Sequence, residues 1–176
     1  HGHADALSVC FSLGGRPILI DPGTYSYKDD QWRYFFRSTS QHNTLAFDKA
    51  SQSEYLNRFM WGKHAKVNFQ KKELSEDNII ISGKVLWWNK QEHSRVITWK
   101  PTDNYFEIED AWCGKCIPSI RFHLYPELRP QKTDDNGVAF VSGSHYIKFQ
   151  CAGASISLES VSISPSCYRL IKSQRI

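Results

Sequence analysis

The chain of 176 residues has a single methionine, no internal repeat, no low-complexity tract and no convincing linker. No apolar run approaches the roughly 18 residues that a membrane helix requires, so no helical span is expected. Amphipathic helical periodicity is also nearly missing, which excludes helical bundles and alternating α/β folds. The one Cys-x-x-Cys, Cys113 to Cys116, has no second pair, which argues against a zinc ribbon and is read as a hairpin turn carrying two thiols. With Cys10, Cys151 and Cys167 the cysteines number five, an odd count in a chain too long to depend on a disulfide framework. Charge of one sign is not strongly in excess. A net charge of +4 mildly favours an anionic partner, but the Lys/Arg clusters lack the signatures of a nucleic-acid reader, and none is expected. Disorder is excluded by 40% hydrophobic and 14% aromatic residues.

What is present is mostly strand. Short β-branched and aromatic runs at 64–70, 79–88, 94–99, 105–111, 119–125, 138–141, 146–150 and 155–159 alternate with turn signals such as Pro101-Thr102-Asp103-Asn104 and Asp134-Asp135-Asn136-Gly137. This predicts an all-β antiparallel sandwich forming one domain over residues 1–176. A first hairpin is expected over residues 5–21 around Gly14-Gly15, a short helical turn near residues 31–35, and some helical character over residues 51–61.

The chemistry-bearing residues crowd the first quarter. His1-Gly2-His3-Ala4-Asp5, read as an extended strand, puts His1, His3 and Asp5 on one face with period two, which is either a metal or catalytic cluster or a polar strand edge. The hairpin returns Asp21 towards that stretch, and a carboxylate beside two histidines suits zinc, with His42 the candidate for a third imidazole. Three enzyme families with H-x-H near an acid can be weighed. A metallo-β-lactamase needs histidine after Asp5, where Ala6 stands; an amidohydrolase needs a longer (β/α)₈ chain. A cupin suits an all-β chain but expects a glutamate soon after H-x-H, and residues 7–13 have none, so it stays as a weaker alternative.

Four ordered blocks, HGHADALS, DPGTYSY, WRYFFRSTSQHNTLAFD and Gln52-Ser53-Glu54, resemble the C-terminal part of heparinase II/III-like polysaccharide lyases. The resemblance implies a β-sandwich that follows a helical toroid absent from this chain. It implies a metal ion, zinc in a chiefly structural role, held by His3, Asp21 and His42. Catalysis would involve His1, aimed at substrate, and a phenol from Tyr25 or Tyr27, with Arg33, Arg37 and Asn43 contacting an acidic polysaccharide. The implied reaction is β-elimination on a uronic-acid glycan such as heparan sulfate or alginate. A periplasmic or secreted location is the corresponding expectation. The alternative is a non-catalytic sandwich that binds glycans or braces a neighbour.

Overall fold

The computed structural model describes the chain apart from His1, Asp29, Lys49, Lys115 and the side chain of Lys71. Two compact units emerge, each assembled from separate stretches. The first comprises His1–Leu7, Arg37–Ser40 and Thr44–Ile120; the second comprises Ser8–Phe36, Gln41–Asn43 and Arg121–Ile176. All sheets are antiparallel and open, as the strand and turn pattern predicts, and the barrel that a cupin requires is not formed among the described residues.

In the first unit, a meander orders β4 (Lys66–Leu74), β5 (Ile79–Leu86), β6 (Glu92–Lys100) and β7 (Tyr105–Cys113) side by side. Ile79-Ile80-Ile81 and Arg95-Val96-Ile97-Thr98 supply β-branched side chains that fit a pleated surface. Between β6 and β7 the chain turns over Pro101–Asp103 and exits through Asn104 at φ 51°, a left-handed conformation that asparagine tolerates better than most residues. A two-residue ladder joins β3 (Leu45–Ala46) to β8 (Ser119–Ile120). The core gathers Leu45, Phe47, Val85 and Trp87, with Ala6, Leu7, Ala50 and Ala65 packed against it. Phe47 and Trp87 meet edge to face at 5.0 Å, a preferred aromatic geometry.

The second unit begins with the hairpin β1 (Phe11–Leu13) and β2 (Arg16–Leu19). Gly14 and Gly15, at φ 56° and 75°, form the turn, and two successive positive φ values are what a two-residue hairpin loop demands. Helix α1 (Gln31–Arg37) starts at Asp30, whose carboxylate accepts the Arg33 N–H at 2.9 Å as an N-cap. Further on, β9 (Gln131–Asp134), β10 (Gly137–Ser142) and β11 (His145–Gln150) form one sheet, and β12 (Glu159–Ser166) pairs with β13 (Arg169–Arg175). Its core is Ile18, Leu19, Leu124, Leu128, Val138, Phe140 and Ile156.

Several local expectations change. Residues 2–7 are not a strand, so the period-two strand expected for His3 and Asp5 does not arise, and His1 lies outside the described residues; Leu7 sits at φ 62°, outside any strand conformation. Residues 51–61 contain no helix and close on a bridge between Tyr55 and Trp61. The strand expected at 155–159 lies instead at Glu159–Ser166, with a bulge between Ile163 and Ser166 where Pro165 has no N–H to donate. Strands β9 and β13 are too polar to stand out as apolar alternation, and the sequence pattern does not reveal them.

Candidate functional site

In the second unit, three consecutive residues and one loop make a polar centre. Asp21 turns the chain by accepting the Gly23 N–H on Oδ1 at 2.8 Å. Gly23, at φ 83°, lies so near the Ser164 carbonyl that a Cβ would collide with it, so no other residue fits. Ser164 fixes the turn from the other side, its N–H donating to Pro22 O at 2.7 Å and its hydroxyl to Thr24 O at 3.1 Å.

The other Asp21 oxygen, Oδ2, lies 2.9 Å from Nδ1 of the fully buried His42, while Nε2 of the same ring lies 3.1 Å from the Phe36 carbonyl. A carbonyl only accepts, so Nε2 carries the proton that bonds it. In the neutral ring Nδ1 then presents a lone pair towards a carboxylate. Two acceptors facing each other require a proton or a cation between them, and a histidine ligand whose other nitrogen donates to a backbone carbonyl is the usual arrangement around a bound metal. A proton on Nδ1 meets that requirement by itself, and an imidazole nitrogen with a carboxylate oxygen is also a donor pair that a divalent ion such as zinc accepts.

Asn43 is fully buried and uses its whole amide on the backbone: Nδ2 donates to Val9 O at 2.8 Å and Ile20 O at 2.9 Å, and Oδ1 accepts the His123 N–H at 2.6 Å. Its place is that of a tie between loops, not the substrate contact expected from sequence. Beside it His123 is buried with neither ring nitrogen hydrogen-bonded among the described residues, and burial, reinforced by Arg175 and His42, pushes its pKa down to about 3.

Of the expected phenols, Tyr27 is exposed, with the Arg33 guanidinium 4.8 Å above its ring, whereas Tyr25 packs against Trp32 and Tyr168. Arg33 itself is buried, so it backs Tyr27 and does not face solvent as expected of a substrate contact.

In the first unit, the irregular stretch 2–7 is held by side chains from distant parts of the sequence. Gly2 O accepts from Arg37 Nε at 3.3 Å and Trp61 Nε1 at 3.0 Å; Ala4 O accepts the Thr39 hydroxyl at 2.6 Å. Gln52 grips Ala6 at both ends, accepting its N–H at 2.8 Å and donating to its carbonyl at 3.0 Å, where Thr44 also donates. Arg95 donates to Leu7 O at 2.7 Å and is itself fixed by Asp110, which also bonds His93. His3 and Asp5 alternate with the clamped residues, and their ligand atoms lie within 4.8 Å of each other. Arg37, expected at the substrate, is fully buried between Tyr55 and Trp61, its guanidinium 4.3 Å from the Trp61 ring, and also donates to Asn57 O. The sequence marks Gln52 only as part of a motif; Arg95 and Asp110 carry no local signal. The expected catalytic residue His1 lies outside the described residues.

The fold defined by these sheets is that of the C-terminal region of heparan sulfate lyases. The chain superposes on heparan sulfate lyase HepC from Pedobacter heparinus with a TM-score of 0.80 at 19% identity, over 99% of this chain and 28% of that one. It matches a heparinase III structure with a TM-score of 0.75 at 21% identity, over 98% of this chain and 27% of that one. The chain thus spans little more than a quarter of the length of these solved chains. Among curated proteins none matches at a significant level. The family profile described as heparinase II/III-like, C-terminal, matches residues 1–175, and the chain belongs to that family.

Proposed function

We propose that this chain is the C-terminal portion of a polysaccharide lyase that cleaves uronic-acid-containing glycans by β-elimination, and that His3 joins Asp21 and His42 in holding one zinc ion. The observation that carries the reading is the His42–Asp21 pair, whose ring tautomer leaves Nδ1 aimed at a carboxylate. The ion, when bound, neutralises that carboxylate and ties the loop bearing Tyr25 and Tyr27 to the sandwich. Asp5, beside His3, is available as a further oxygen donor.

In β-elimination a base takes the uronate C5 proton, the C4–O bond breaks, a C4=C5 double bond forms, and the departing oxygen receives a proton. The exposed phenol of Tyr27 is the better-placed proton carrier of the two tyrosines, because Tyr25 is packed among rings. His1 is assigned to the substrate carboxylate or to proton abstraction. The remaining catalytic groups and most substrate contacts would come from an α-helical toroid preceding this chain in its parent protein. Support for that lies in the much greater length of the matched lyases. A periplasmic or secreted parent belongs to the same proposal.

Two measurements test it. Elemental analysis of the purified chain is expected to find about one zinc per molecule, lost in His42→Ala and in Asp21→Ala; a metal-free wild type removes the site. The parent protein is expected to release unsaturated uronate, followed by ultraviolet absorbance, while the 176-residue chain alone releases none, since catalytic groups acting as a unit lose most of their effect when one is taken away. Turnover by the isolated chain, or none by the parent on any uronan, contradicts the assignment.

A further inference from the structure

We propose that the second unit carries a separate subsite for an anionic sugar residue, in a groove of about 450 Å³ between α1 and the β12–β13 pair. The volume falls within the roughly 300–1,000 Å³ of small-ligand sites. One wall is aromatic: Trp32 and Phe35, both partly solvent-exposed, lie on the same face of α1. Their orientation is fixed from behind by Phe36, which stacks on Trp32 at 6.1 Å and meets Phe35 edge-on at 5.2 Å. Rigid half-exposed rings suit the apolar face of a pyranose. The opposite wall is Ser160, Val161 and Ser162 of β12.

Charge sets the class of sugar. Arg175 lines the groove and is oriented by Glu159, accepting Nε at 2.8 Å and Nη2 at 2.6 Å, with Gln41 Oε1 3.4 Å from Nη1. Arg175 is the charged residue of the lining, and its partner Glu159 is not part of that lining, so the charge the groove presents is one that a uronate carboxylate or a sulfate would complement. The groove uses none of the residues assigned to the metal or to proton transfer, so it would grip the glycan away from the bond being cleaved. Only the choice of uronate or sulfated sugar rests on the lyase reading.

The test is calorimetric titration of the full 176-residue chain with a size-defined hexasaccharide from heparan sulfate at about 0.15 M salt, where weak surface attraction is screened. A neutral cello-oligosaccharide and inorganic polyphosphate serve as comparators. The expected result is saturable binding of the acidic hexasaccharide alone, weakened about tenfold by Ser162→Asp, which sets a negative charge in the groove without touching the core. Ser160→Asp gives the same reading should the first variant fail to fold, as judged by thermal melting. Undiminished binding in a folded variant, equal binding of polyphosphate, or no binding by the wild type overturns the subsite. Failure of the lyase reading would show separately, as a parent protein that yields no unsaturated product while the groove still binds the acidic sugar.

Discussion

Two buried histidines in this protein each meet an aspartate, and their surroundings give the pairs opposite characters. His93 and Asp110 lie on neighbouring strands of the first unit's meander, 2.6 Å apart, with Asp110 only 4% exposed. Arg95 closes the group with two further hydrogen bonds to the carboxylate. Both oxygens are taken, and the cluster serves to hold the Leu7 carbonyl. His42 and Asp21 share a similar contact, but the aspartate side chain is 42% exposed and its other oxygen accepts from the turn it helps to form. That pair keeps an opening to solvent. A histidine–aspartate contact by itself therefore says little; which ring nitrogen faces the carboxylate, and how far that carboxylate reaches solvent, separate the two pairs.

That contrast breaks most sharply at Asp110. Asp110→Ala leaves Arg95 and His93 buried without their counter-charge, and a loss of about 3–5 kcal/mol is expected in urea unfolding. The acid limb of the stability curve carries the same signature. Burial alone would raise the Asp110 pKa, but hydrogen bonds from His93 and Arg95 outweigh it and hold the carboxyl below its ordinary value. A carboxyl depressed in the folded state stabilises fully above its unfolded pKa, about 3.9, and that contribution disappears as pH falls through the lower folded value. Unfolding midpoints measured from about pH 5 downward are thus expected to fall less steeply in Asp110→Asn than in wild type.

Gln52 comes next. Removing its amide leaves the Ala6 N–H without this acceptor and the Ala6 carbonyl with Thr44 alone, and Gln52→Ala is expected to cost about 1–3 kcal/mol while raising hydrogen exchange at residues 4–7. Smallest is Asp21→Asn, whose exposed carboxylate stabilises the metal-free chain by at most about 1 kcal/mol, read as a shift in unfolding midpoint. If Asp21→Asn proved as damaging as Asp110→Ala, the distinction between open and closed pairs would be lost.

Much of this architecture is legible in the amino-acid sequence. The β-branched runs of β5, β6 and β7 announce themselves, and Gly14-Gly15 declares its hairpin. Asp21 and His42 can be named as partners from their motifs. Other features depend on register. His93 and Asp110 become neighbours only once β6 and β7 are paired, since no local pattern links residues that far apart. Residues 2–7 mislead because H-x-H-x-D imitates strand alternation, whereas their conformation is imposed by Arg37, Gln52 and Arg95. Arg37 and Asn43 resemble substrate contacts because their motif context is polar, yet burial turns both towards the backbone. The division into two units leaves no mark either, because the chain passes between them inside the HGHADALS and WRYFFRSTSQHNTLAFD blocks and again at Ile120–Arg121, not through a linker.

The contact between Gly23 and Ser164 also bears on how the protein is made. The turn that aims Asp21 is completed by a residue 140 positions after Thr24, and Tyr168, later still, donates its N–H to Tyr25 O at 2.7 Å. A ribosome adding about 5–20 residues per second reaches Ser164 on the order of ten seconds after Thr24. Throughout that interval the nascent chain holds its aspartate and histidine motifs without the strand that orders them. The turn around Asp21 is therefore finished only once β12 has been made, and a product cut short before β12 would leave that turn unformed while the meander of β4 to β7 was already complete.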